Sequence, residues 1–205
     1  MKRDILDLAG ADLSGVTLVE VLVSMVIMAL GLVSLAALQN YTLRYQLGSV
    51  HRAQLSGLLS DYAERVRSNL AQAPGQVADS PYVKLASGDW EAQASDPAAA
   101  AVSCSGNTAC TDLQLANFDM AQWLQRVRRE LPRGSAMVQG DAIQGLTVTF
   151  MWSDKEHVTS STSDGTLVQS PQCRPADTGL AEQTCCPGGA NAPAGVRCAT
   201  FSIVP

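Results

Sequence analysis

Three absences set the first limits on this chain. Histidine is almost missing: His51 and His157 are the only two in 205 residues. A metal centre or a catalytic cluster built on imidazole therefore has little to draw on. Basic charge is also scarce, with 14 lysines and arginines against 19 aspartates and glutamates, a net −5. Apart from Arg126, Arg128, Arg129 and Arg133 the cations are scattered. Holding a nucleic-acid backbone takes a basic patch or stripe, so nucleic acid is not expected as a partner. Proline does not occur before Pro74, so nothing in that stretch carries the strongest helix breaker. Catalytic signatures are missing as well: there is no Gly-x-Ser-x-Gly and no glycine loop ending in a phosphate-binding lysine. Asp154, Glu156 and His157 stand together, but in a polar stretch that reads as a solvated loop. The expectation is a protein that is not an enzyme and has no cofactor and no metal.

Cysteine is absent from the first 103 residues and then occurs six times, at Cys104, Cys110, Cys173, Cys185, Cys186 and Cys198. No pair has the Cys-x-x-Cys spacing of a zinc site. An even number beyond a long apolar segment reads as disulfides made in an oxidising compartment. Cys104 and Cys110 are close enough in sequence to close a loop together. Neighbouring Cys185 and Cys186 are expected to take different partners, because a ring between them is strained. Cys173 and Cys198 are the nearest candidates, and the sequence does not choose between the pairings.

What the chain has in abundance is an apolar run. Val16 to Leu38 is 23 residues with one charge, Glu20. As a helix it spans roughly 34 Å, enough for a bilayer core of about 30 Å. The polar stretch, Met1 to Gly15, precedes the run and ends in glycine. A secretory signal has the reverse order, a shorter apolar region followed by a small-residue cleavage site. A carboxylate at the centre of a bilayer costs on the order of 2.5–3.5 kcal/mol, and less near an edge. Taken alone, Glu20 allows two readings. It is an incidental charge at the interface end of a signal anchor, or it waits for a cation on a neighbouring helix and disfavours wrong offsets between the two.

The helical pattern continues past the apolar run. Leu43, Leu47 and Val50 share a face, and Leu55, Leu58, Leu59, Tyr62, Val66 and Leu70 follow at three- and four-residue spacings, up to a stop at Pro74-Gly75. A helix from Val16 to about Ala71 would be roughly 84 Å long, apolar all round in its first half and amphipathic in its second. Beyond Pro74 an irregular connection leads to a short helix over Asn117–Leu131. Its apolar face is Met120, Trp123, Val127 and Leu131, with arginines near its C-terminus where they complement the dipole. Strands are expected at Ala136–Val138, Leu146–Trp152 and Val196–Val204, with a further short one at Thr166–Gln169. The Leu146 strand alternates as a half-buried one would. Ser170 to Gly195, with four prolines and four glycines, reads as a loop region pinned by disulfides. The fold class is α+β, a long helix against an antiparallel sheet.

The order Gly15-Val16-Thr17-Leu18-Val19-Glu20, with Glu20-Val21-Leu22-Val23 after the boundary, resembles the class III leader of type IV pilins and pseudopilins. Arg67-Ser68-Asn69, a paired-cysteine loop, Asp119 to Trp123, Leu131 to Gly134 and the Val148 to Trp152 strand are similar to the PilV group of minor type IVa pilins. The family most often has Phe or Met after the cut, where this chain has Val16. The resemblance implies that prepilin peptidase cuts between Gly15 and Val16 and that Val16 is N-methylated. It implies the pilin fold, with residues 1–15 a removed leader, 16–40 the transmembrane and assembly half of the helix, 41–73 its amphipathic half and 74–205 the head. Thr17, Leu18 and Glu20 would then belong to the assembly segment. Removing residues 1–15, where Lys2 and Arg3 face Asp4, Asp7 and Asp12, leaves a net −4 on the remaining 190. The implied protein starts in the inner membrane with its head in the periplasm and moves into a pilus near the tip. It would work with other minor pilins, the major pilin and a large tip adhesin, in pilus assembly, adhesion and twitching motility. A minor pseudopilin of a type II secretion system shares the leader, and is the alternative.

Overall fold

With no proline to interrupt it, the N-terminal stretch forms one helix, α1 (Leu18–Ser68), 51 residues long. The structure, a computed structural model, describes residues 17–84, 90, 99–155, 157–158 and 165–204, the side chains of 44, 45, 47 and 48 excepted. The chain folds as two compact units, Met1–Gln46 and Leu47–Pro205.

In the second unit α1 buries Leu55, Leu58, Tyr62, Ala63 and Val66, one stripe at helical spacing. The stripe is shorter than the sequence pattern suggests: Leu43, Val50 and Leu70 are all at least half exposed. Periodicity identifies a face, but burial needs something opposite it. The helix also ends earlier than Ala71. It stops at Ser68 and is followed by a tight 3-10 turn, Leu70–Gln72.

Helix α2 (Asp112–Glu130) begins five residues before the expected Asn117. The reason is a capping box: Thr111 Oγ1 accepts from Gln114 N–H, and Gln114 Oε1 accepts from Thr111 N–H at 3.0 Å. Thr111→Ala should cost about 1 kcal/mol, read as a lowered urea midpoint with unchanged slope. The expected face is the one buried: Met120, Trp123, Val127 and, just past the helix end, Leu131, joined by Ala116.

Three antiparallel strands, β1 (Ser135–Asp141), β2 (Gly145–Ser153) and β3 (Val196–Ile203), form one sheet in the order β1-β2-β3. Gly140 (φ 100°) sits at the β1–β2 hairpin, where a Cβ would lie 2.3 Å from Gly145 O, so only glycine fits. One face of the sheet contributes Ala136, Val138, Leu146, Val148, Phe150 and Trp152 to a core shared with α1 and α2. The other face is covered at one end by a second cluster: Met137 and Met151 with Trp90, Cys186, Ala190, Ala192, Val196 and Cys198. The expectation of a half-buried β2 is thereby corrected. From Val148 to Trp152 all five residues are buried, on both faces of the strand.

The covering layer is the tail, residues 165–195. It contains a five-residue helix, α3 (Leu180–Thr184), and a 3-10 turn, Gly188–Ala190. The strand expected at Thr166–Gln169 is reduced to a single bridge between Leu167 and Val158. Three disulfides close the structure: Cys104–Cys110, Cys173–Cys185 and Cys186–Cys198. The neighbours Cys185 and Cys186 do take different partners, and no cysteine is free. On the loop-closure account, each 12-residue loop in the tail contributes about 3 kcal/mol against unfolding. Architecture and disulfides together make this an α+β protein with an apolar N-terminal helix.

Candidate functional site

The segment with the clearest functional character is the start of α1. Leu18–Leu43 is 26 residues, long and apolar enough to cross a membrane. Every residue from Thr17 to Leu43 is exposed, Leu18 by 76% and Val33 by 68%. Burying such a surface is worth about 25 cal/mol per Å², so in water it would seek cover. Lipid or other apolar helices can supply it.

The polar side chains in this segment are handled locally. Ser24 Oγ donates to Glu20 O at 2.8 Å and Ser34 Oγ to Leu30 O at 2.9 Å, the i−4 bonds that satisfy a hydroxyl without water. Thr17 caps the helix: Glu20 N–H donates to Thr17 O at 3.0 Å and to its Oγ1 at 3.3 Å. Glu20 therefore occupies the third helical position, in the first turn, where a negative charge complements the exposed N–H groups. No described residue pairs with its carboxylate. It is one anion at the end of an apolar rod, chemically suited to an ion pair with a cation from outside the described residues. Leu18 is the first residue of the helix. Gly15 and Val16, the expected cleavage point, lie outside the described residues.

The head grips α1 through a polar network that the sequence pattern does not reveal. Arg65 donates from Nε to Asp61 Oδ1 and from Nη1 to Asp119 Oδ1, both at 3.0 Å. Tyr82 OH donates to Asp119 Oδ2 at 2.9 Å, and Tyr62 OH to Tyr82 O at 3.0 Å. Burial, with the Asp119 carboxylate next to it, pushes the Tyr82 hydroxyl up, so it stays a donor. Arg126 joins Asp61 on α1 to Glu130 on α2. Trp123 Nε1–H donates to Leu58 O at 2.8 Å in the centre of the core. Asp119, notable in the sequence only through the family resemblance, is the hinge pin of this network.

His157 lies in a polar turn as expected, but it is only partly solvated and has a side-chain partner. Its Nε2 lies 3.2 Å from Ser170 Oγ, and Ser170 in turn donates to Val196 O at 2.7 Å. Asp154 pairs with Arg197 Nε at 2.5 Å. Glu156 is outside the described residues. Ser170 is buried and its proton is committed to a backbone carbonyl, so the group ties the tail to β3. Burial, and then Arg197, push the His157 imidazole below its ordinary value, while Asp154 opposes them. A depressed histidine contributes stability that is complete above its unfolded pKa of about 6.5 and is lost as pH falls toward the folded value. The wild-type melting temperature should therefore drop more than that of His157→Gln between pH 7.5 and pH 5. Parallel curves would mean that His157 is unlinked to folding.

No family model, no curated protein and no solved structure matches the chain. The functional reading therefore rests on the chain's own residues.

Proposed function

We propose that this chain is a minor subunit of a type IV pilus, which enters the filament through α1. What carries this reading is the exposed apolar segment with a single carboxylate in its first turn, Glu20, that no described residue pairs. A plain membrane anchor gains nothing from that charge. The leader resemblance supplies the cation: cleavage by prepilin peptidase after Gly15 would create an α-amine at Val16, N-methylated and still positive. Offered by a staggered neighbour, this amine would neutralise Glu20. Unit charges about 4 Å apart attract by about 4 kcal/mol at an effective dielectric of about 20. Offsets that leave Glu20 unmatched would forfeit that attraction, so it selects register.

The architecture supports the same reading, since α1 packing on an antiparallel sheet is what the pilin fold requires. The head would lie in the periplasm while α1 is in the inner membrane. Extraction would then exchange lipid for neighbouring helices, with other minor pilins and the major pilin as partners and a large tip adhesin beyond them. Priming or capping of the fibre, adhesion and twitching motility follow from that position. The test is fractionation of a strain carrying a tagged copy. The protein should appear in sheared surface filaments, and its deletion should reduce twitching. Loss of protein secretion with normal twitching would instead identify a secretion pseudopilin, and absence from every filament fraction would overturn both.

A further inference from the structure

Lys84 takes no part in the polar networks that hold the head together. Its backbone is pinned to β1, exchanging both bonds with Val138 at 3.1 and 2.7 Å. Its half-buried side chain lines a cleft of about 580 Å³, inside the ~300–1,000 Å³ range of ligand sites. One wall is a stripe of α2, where Gln114, Asn117, Ala121 and Leu124 recur at three- and four-residue spacings. That stripe is roughly 15 Å long, room for about four extended residues. The other wall is residues 99–102, Ala-Ala-Ala-Val. Lys84 is the only charge among these lining residues, and no described carboxylate pairs with it. Burial pushes its ammonium below the ordinary value, and no described charge opposes the shift.

A cation withdrawn from water without a counter-ion is costly, so the cleft is complementary to one negative charge. We propose that it binds the C-terminal end of a polypeptide, with the terminal carboxylate on Lys84 and a small apolar side chain against Ala121 and Leu124. The amides beside Lys84 favour this ligand over other anions. Gln114 Oε1 is committed to Thr111 N–H, which leaves its amide N–H groups to donate to a carboxylate. Asn117 Nδ2 donates to Leu113 O at 2.8 Å, which leaves its Oδ1 to accept a backbone N–H. A fatty acid has no N–H to give there. A dianion such as phosphate would bring a second charge that no described lining residue balances. The proposal holds whether or not the chain enters a filament.

The probe is N-acetyl-alanyl-valine with a free carboxylate, added to the full chain in detergent micelles after isotopic methylation of its lysines. Only Lys2, Lys84 and Lys155 carry the label, so Lys84→Met assigns the Lys84 resonance. Saturation should raise the pKa read from that resonance and leave Lys155 unmoved, because a neighbouring anion favours the ammonium. The C-terminal amide of the same dipeptide should bind about tenfold more weakly or worse, as measured by calorimetry. Lys84→Met keeps an apolar stem and the backbone bonds to Val138. It should therefore weaken binding of the acid to the same degree with the melting temperature unchanged. Ala121→Leu, which fills the apolar end, should weaken it with Lys84 still in place. Equal affinity for acid and amide, no binding in the millimolar range, or full binding by Lys84→Met would overturn the proposal. Asp89, Glu91 and Asp96, between Lys84 and the far wall in sequence, lie outside the described residues. A Lys84 pKa that falls in the free chain when these three are changed to Asn, Gln and Asn would make an internal carboxylate the occupant, and would overturn it too.

Discussion

Trp123→Ala should destabilise the head by about 4 kcal/mol, the largest effect expected of any single substitution in it. Trp123 is fully buried between α1, α2 and the sheet. Its ring lies 4.9 Å from that of Tyr62 and 5.9 Å from that of Phe150, both tilted, an arrangement that adds to simple area burial. The indole N–H also spans 65 residues of sequence to reach Leu58 O. Truncation leaves a cavity that the flanking helices cannot collapse into, because the Asp61, Arg65 and Asp119 bonds hold them apart at fixed spacing. Trp123→Phe keeps a ring but loses the N–H and part of the volume, and should cost roughly 2 kcal/mol. Urea unfolding of the full chain in detergent, without reductant, measures both. A loss below about 1 kcal/mol for the alanine variant would show that Trp123 is not the keystone of the core.

Glu20→Ala should leave membrane insertion intact and lower the filament-incorporated fraction at least tenfold. The asymmetry follows from where the charge sits. In the membrane, removing a carboxylate from an apolar helix relieves a cost, so alkaline carbonate extraction should still leave the protein with the bilayer. In the proposed filament the same removal would lose the ion pair with a neighbour's terminal amine. Each 1.4 kcal/mol is a factor of ten, so a pair worth half its ~4 kcal/mol Coulomb energy gives more than that. Glu20→Asp keeps the charge with a shorter reach and should fall between wild type and alanine. Equal incorporation of all three would remove Glu20 from the assembly mechanism.

How much of the fold is legible in the sequence depends on distance along the chain. Local patterns read well. The α2 face, the three strands, the Cys104–Cys110 loop and the different partners of Cys185 and Cys186 all follow from spacing, composition or ring strain. Features made by distant segments do not. Alternation along β2 implies a half-buried strand, because it cannot reveal that Trp90 and the tail cover the second face. The outward stretch of the α1 stripe fails for the same reason, since Leu43 and Val50 have the right phase and too little opposite them to be buried. Asp61, Arg65, Asp119 and Tyr82 meet across gaps of up to 54 residues. Their only trace in the sequence is as scattered polar residues beside buried positions. The α2 start differs in kind, because Thr111-x-x-Gln114 is a local signature that marks the true boundary without any structure. As for Glu20, the sequence marks it as an anomaly, and the structure adds that its first-turn position leaves the carboxylate with no described partner.

The intact mass and N-terminal sequence of the membrane-extracted protein test the central claim most directly. Cleavage after Gly15 predicts a chain that begins at Val16, carries one added methyl group on its α-amine and contains no free thiol. A chain that begins at Met1, with residues 1–15 retained, would contradict it, because Glu20 would then have no matching terminal amine to select.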